Sequence, residues 1–160
     1  MVVDDDPAYY VYRLTSGDHT QVGVVACCSL DEYEQGTIKK HEKTRPDKVA
    51  DRTRHMLELR AQTGLIFLAY RGTDEIDAIV AEVMREEPLY DFVCDTGIGQ
   101  TAWKVRDTGP ITEAFSRVPA LYIADGHHRI ESALRARDKI REMSGNGNGD
   151  ASHNYVMAGL

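Results

Sequence analysis

At 160 residues, 42% apolar and 28% charged, the chain has the make-up of one soluble globular domain, long enough to bury its own core. Its net charge of −7 leaves no broad basic face, which argues against general nucleic-acid binding and against attraction to anionic membranes. No apolar run approaches the roughly 18 residues needed to span a bilayer, and Met1–Asp6 lacks the basic start of a secretion signal. A cytoplasmic location is therefore expected.

In chain order, Tyr9–Leu14 and Thr20–Cys27 are β-branched and aromatic runs joined by a glycine-containing loop, which predicts a hairpin over 9–27. Asp31–Gly36 reads as a polar turn. Asp47–Thr63 places Val49, Thr53, Met56, Leu57 and Arg60 at helical spacing, with Pro46 before and Gly64 after. Leu65–Tyr70 is a short continuous apolar run, the pattern of a strand covered on both faces. Thr73-Asp74 then caps an amphipathic helix with Ile76, Ile79, Val80, Val83 and Met84 inward, stopped by Pro88.

Leu89–Cys94 and Gln100–Val105 flank Asp95-Thr96-Gly97-Ile98-Gly99 and predict a second hairpin over 89–105. Pro110–Arg117 is expected to be a short helix with proline in its first turn. A strand at Leu121 leads into a helix from His127 to Met143, and Asn154–Leu160 reads as a last strand. Between them the Gly/Asn-rich stretch at 144–152 cannot bury apolar surface and is expected to be mobile. Hairpins mixed with amphipathic helices give an α+β class, with one layered core over residues 1–160. The three cysteines, Cys27, Cys28 and Cys94, lie in apolar runs without a CxxC pair, as buried reduced thiols would.

Two clusters carry candidate chemistry. The first is Asp125-Gly126-His127-His128-Arg129, where an apolar strand gives way to a helix. Free N–H groups and the positive end of the helix dipole there favour an anion, and Arg129 can fork onto two oxygens. Asp125 sits where an N-cap would. The same residues also fit a plain glycine turn with solvated histidines. The second cluster is Ile38-Lys39-Lys40-His41-Glu42-Lys43-Thr44-Arg45, followed by Lys48 and Asp51-Arg52. It reads either as a solvated charged face or as the cations and carboxylate that phosphoryl chemistry needs.

A metal site is the rival reading, with His41, Glu42, Asp125, His127 and His128 as ligands should the clusters meet. Adjacent histidines on a helix diverge by about 100°, and no HExxH or paired-cysteine spacing occurs, so no metal site is assigned. No GxSxG and no GxxxxGK[ST] is present, and Gly97-Ile98-Gly99 reads as a hairpin turn.

His41-Glu42-Lys43-Thr44, Lys48, Asp51-Arg52 and Ala124-Asp125-Gly126-His127-His128-Arg129, with Tyr12-Arg13 and Ser29-Leu30-Asp31-Glu32-Tyr33, resemble the bacterial and archaeal domain-of-unknown-function family 1015. Members of that family are normally much longer, which implies that this chain is an internal piece. The glycine turn is also similar to the phosphate-binding box of the ParB and sulfiredoxin superfamily, which includes ParB, sulfiredoxin and the free-serine kinase. That likeness implies a mixed sheet with flanking helices and a helix-N-terminus phosphate site at 126–129. Sulfiredoxin's reactive cysteine is replaced by His127-His128, so sulfinic-acid repair is not expected, and the DNA-binding helices of ParB have no counterpart.

The resemblance implies a nucleotide-phosphate-binding domain that works as a small-molecule phosphotransferase or nucleotide hydrolase on ADP, ATP or CTP with Mg²⁺. In it Asp125, Gly126, His127, His128, Arg129, Lys43 and Arg45 would bind the nucleotide. Glu42 and His41 would serve as base or Mg²⁺ partner, and His128 as proton carrier. The alternatives are a non-catalytic nucleotide- or ligand-sensing module and a metal-dependent hydrolase. The partners expected are a nucleotide and a small-molecule substrate, and the oligomeric state is not legible.

Overall fold

A computed structural model describes residues 6–144 and 151–160. The elements run β1 (Tyr9–Ser16), β2 (His19–Ser29), α1 (Leu30–Gln35), β3 (Ile38–Lys39), α2 (Pro46–Leu59), β4 (Ile66–Ala69) and α3 (Asp74–Val83). They continue with β5 (Tyr90–Val93), β6 (Gly99–Val105), α4 (Gly109–Ser116), β7 (Leu121–Asp125), α5 (His127–Ser144), a 3-10 turn (Ser152–Asn154) and β8 (Tyr155–Gly159). Strands paired both ways and mixed with helices make the chain α+β. Among the described residues no helix is long and apolar enough to cross a membrane.

The chain divides into two compact units. One holds the described residues up to Ala26, Arg71–Pro119 and Leu160; the other holds Cys27–Tyr70 and the described part of Ala120–Gly159. In the first unit both predicted hairpins form, with β1 antiparallel to β2 and β5 antiparallel to β6, and β6 also pairs antiparallel with β1. Alternation along β6 buries Thr101, Trp103 and Val105, as a strand with one face on a core must. Trp103, Val105, Val11, Val24 and Ile111 form that core, against which Ile79, Val80, Val83 and Met84 pack. The Thr73 side chain accepts the N–H of Ile76 and so caps α3.

In the second unit β7 pairs parallel with β3 and antiparallel with β4, and β4 pairs parallel with β8. Helices α2 and α5 approach closely because the seam carries small residues. Ser132 Oγ donates to Val49 O at 3.2 Å, and Thr53 Oγ1 donates to Val49 O at 2.7 Å. Ala133 and Ala136 lie buried on the same helix.

Several sequence expectations are corrected. The polar turn at 31–36 is the helix α1: Ser29 accepts the N–H of Asp31, Leu30 and Tyr33 are buried, and Gly36 closes the helix at φ 82°. Short polar helices carry little periodicity, which is why caps reveal this one better than hydropathy does. The strand at 65–70 is covered on one face only, since Ile66 and Leu68 are buried while Phe67 is 42% exposed. Helix α2 ends at Leu59 rather than near Thr63, because Arg60 takes a left-handed conformation at φ 50°.

Of the cysteines only Cys28 is buried. Burial first, then the charge of Glu32, pushes its thiol up to about 12, whereas Cys27 on the opposite strand face is exposed. The expected mobile stretch at 144–152 falls mainly on 145–150, outside the described residues. Ser144 ends α5 and Ser152 begins the 3-10 turn.

Candidate functional site

Strand β7 delivers the chain to Gly126, which takes φ 98° and turns it directly into α5. The Gly126 carbonyl accepts the N–H of Arg129 at 2.8 Å and of Ile130 at 3.1 Å. Gly126, not Asp125, therefore occupies the cap position. Asp125 closes β7, and its carboxylate accepts from Arg129 Nη1 at 3.3 Å. None of the described hydrogen bonds uses the N–H of His127 or of His128, so two amides at the positive end of an 18-residue helix remain for a ligand.

His127 is 5% exposed, yet its Nε2 is buried without a hydrogen-bond partner. Its Nδ1 lies 3.7 Å from Glu42 Oε2, and its ring meets that of His41 edge-on, with centroids 4.5 Å apart. Burial, and next the neighbouring His41, hold its pKa below 6.5 against the opposing pull of Glu42 and Asp125. The unfolded chain thus binds a proton at higher pH than the native state does. The stability tied to neutral His127 is complete above about pH 6.5 and is lost as pH falls through the lower native value. Urea melts at pH 7.5 and 5.0 are expected to show a smaller acid loss in His127→Gln than in the wild type. Equal losses would show that His127 titrates as it does in the unfolded chain.

The other candidates are distributed differently. His128 Nε2 accepts the backbone N–H of Arg45 at 3.1 Å, which ties the two predicted clusters together but engages that nitrogen. The Arg45 guanidinium turns to Asp47 at 2.7 Å. Arg129 donates through Nη1 to Leu65 O at 2.8 Å and packs beside Gly64. No described contact joins it to Glu42. Lys43 lines an open cavity of 450 Å³ with Lys40, His41, Glu42, Thr44 and Glu131. Lys48, Asp51 and Arg52 are exposed on α2, where Asp51 pairs with Arg54 at 2.5 Å.

Glu131 is the residue that sequence reasoning missed. It stands four positions after His127, hence on the same helix face, and accepts from Tyr33 Oη at 3.0 Å. The i,i+4 spacing was the signal that could have found it.

Among the described residues no group of three or more His, Cys, Asp or Glu is placed to hold a metal ion. The geometry accounts for this. His127 and Glu42 stand 3.7 Å apart, and Arg45 occupies the one His128 nitrogen that faces the second cluster. What the arrangement can do is accept an oxyanion at the two amides, beside an imidazole with an unused nitrogen and a half-exposed carboxylate.

The family described as "Protein of unknown function (DUF1015)" matches residues 1–160. The chain belongs to that family. No curated protein and no solved structure matches it. In this DUF1015 chain the family motifs around Glu42 and Gly126 thus meet in one unit, at the His41–His127 and Arg45–His128 contacts.

Proposed function

We propose that the second unit is a ParB/sulfiredoxin-like nucleotide-phosphate-binding domain, acting as a small-molecule phosphotransferase of the serine-kinase kind or as a nucleotide hydrolase. One observation carries the reading: a positive-φ glycine opens α5 with two uncommitted amides beside the buried, unpartnered Nε2 of His127. That donor set suits a phosphate oxygen. Gly126 lets the backbone approach it, and His127 protonates to meet the negative charge. Arg129, whose described hydrogen bonds use Nη1 alone, adds a guanidinium edge. Lys43 and Arg45 balance charge at the rim.

Glu42 and His41 stand beside His127 as acceptor base or Mg²⁺ partner. Mg²⁺ arriving with ADP, ATP or CTP supplies charge neutralisation on the phosphates. The acceptor is a small hydroxyl compound, and nucleic acid is not a partner in this reading.

Calorimetric titration with ADP, ATP and CTP in Mg²⁺ tests it. Saturable binding is expected, tightening as pH is lowered from 8 toward 6, because an anion on His127 favours the imidazolium. His127→Gln is expected to flatten that pH dependence and Arg129→Ala to weaken affinity. Absence of binding by all three nucleotides, or affinities unchanged in both variants, would sink the proposal.

A second reading, a sensing module that binds without turnover, is favoured by the engagement of His128 with Arg45 and by the lack of a Glu42–Arg129 contact. Binding without release of phosphate or phosphorylated product in the full-length protein selects it.

A further inference from the structure

A separate cavity of 720 Å³ opens between α2 and α5 within the second unit. Met56 and Leu57 line it from α2, and Ala133, Ala136, Ile140 and Met143 from α5. Alanines on the α5 side leave the room that larger residues would fill. The volume falls in the ~300–1,000 Å³ range of small-molecule pockets. Met143 stands 16 positions after His127, about 24 Å along an α-helix, so this cavity is distinct from the α5 N-terminus.

Its polar groups are few. Gln62 is fully used, donating to Tyr155 O at 2.6 Å and accepting from Met157 N–H at 3.4 Å. Two groups are left over. Arg60 makes no hydrogen bond or ion pair among the described residues, and His153 Nε2 is buried with no partner. Arg60 is also the one described non-glycine residue with positive φ, at 50°. Helices commonly close on glycine at such a position, where a side chain costs conformational energy. A strained arginine at the mouth of an apolar cavity is the arrangement expected where the side chain serves a ligand.

We propose that this cavity binds a free amphiphilic monocarboxylate, with its hydrocarbon body between α2 and α5 and its carboxylate on Arg60 and His153. One guanidinium fork matches one carboxylate. The apolar walls exclude a polar body such as a nucleotide, and the single cation favours a monoanion over a cation or a neutral alcohol.

Calorimetric titration of the whole chain with decanoate, 1-decanol and decylamine at submillimolar concentrations tests this. Decanoate is expected to bind saturably, at least tenfold tighter than either of the others, with amide shifts confined to α2, α5 and the 3-10 turn. Arg60→Gly is expected to weaken decanoate at least tenfold while the melting temperature holds or rises, because glycine relieves the left-handed conformation. A purely structural arginine would not move affinity and stability in opposite senses. Ala136→Phe, which fills the cavity, is expected to abolish decanoate binding. The proposal is overturned by absent or unsaturable decanoate binding, by equal decanoate affinity in Arg60→Gly, or by decanol binding as tightly as decanoate. Nucleotide titration of the same variants is expected to be unchanged, so the two sites can fail separately.

Discussion

Gly126→Ala is expected to lose about 3 kcal/mol of stability and at least tenfold in nucleotide affinity. The φ of 98° lies outside even the left-handed helical region, which costs a side-chain-bearing residue about 1–3 kcal/mol. A Cβ there also meets Ile66 at three atoms, Cγ2 at 2.9 Å, Cβ at 3.1 Å and the backbone Cα at 3.2 Å. Ile66 is 1% exposed in the core of its unit, so β4 cannot step aside freely, and overpacking of this kind adds about 1–3 kcal/mol. Relief of either strain turns the two amides away from a phosphate.

Urea denaturation gives the first number, and titration at a temperature where the variant is folded gives the second. Ile66→Ala removes the nearest clashing atom but leaves the φ strain. The double variant should therefore fall short of additivity by the steric part alone. A Gly126→Ala protein within 0.5 kcal/mol of wild type would show that this turn carries no strain. Wild-type nucleotide affinity in it would remove the turn from the binding site.

Arg137→Ala is expected to cost about 2–4 kcal/mol, the second large effect. Arg137 is 2% exposed on α5, and its guanidinium reaches Asp31 at 2.8 Å, Glu34 at 2.6 Å and Asp138 at 2.8 Å. Asp31 and Glu34 belong to α1, so this one side chain fastens α1 to α5. Charge-assisted hydrogen bonds of this kind contribute about 1.5–3 kcal/mol. Its carboxylates are themselves half-exposed, which holds the loss below that of a fully buried pair broken in two.

Arg137→Met keeps the aliphatic volume and removes the fork, so it separates packing from ion pairing. Its expected stability lies between wild type and alanine. Arg137→Lys is not conservative here, because an ammonium cannot serve three carboxylates in the plane of a guanidinium. A methionine variant as stable as wild type would assign the whole effect to packing.

What could be read in advance depends on whether the deciding contacts are local. Helix α3 was legible because Thr73 and the spacing of Ile76, Val80 and Val83 act within a few residues of one another. The hairpin over 89–105 was legible for the same reason, with Gly97 at φ 79° inside its turn. Helix α1 was missed because its stability depends on two caps and on Arg137, 103 positions after Glu34. The two-residue β3 was hidden inside a charged run, since Ile38 becomes a strand residue only by pairing with Leu121.

The same division holds for the candidate site. Sequence alone picked out the strand, the glycine and the cationic helix start at 125–129, because the chemistry of a helix N-terminus is written in consecutive residues. It also picked out His41 and Glu42 as groups able to serve an anion or a proton. Only tertiary structure decided their partners. It set Glu42 and His41 on His127, spent one His128 nitrogen on Arg45, turned Arg129 toward Leu65, and drew Glu131 into the cavity. Those outcomes depend on how α2, β4 and α5 pack, and packing is the sum of many weak, long-range contacts that no local pattern encodes.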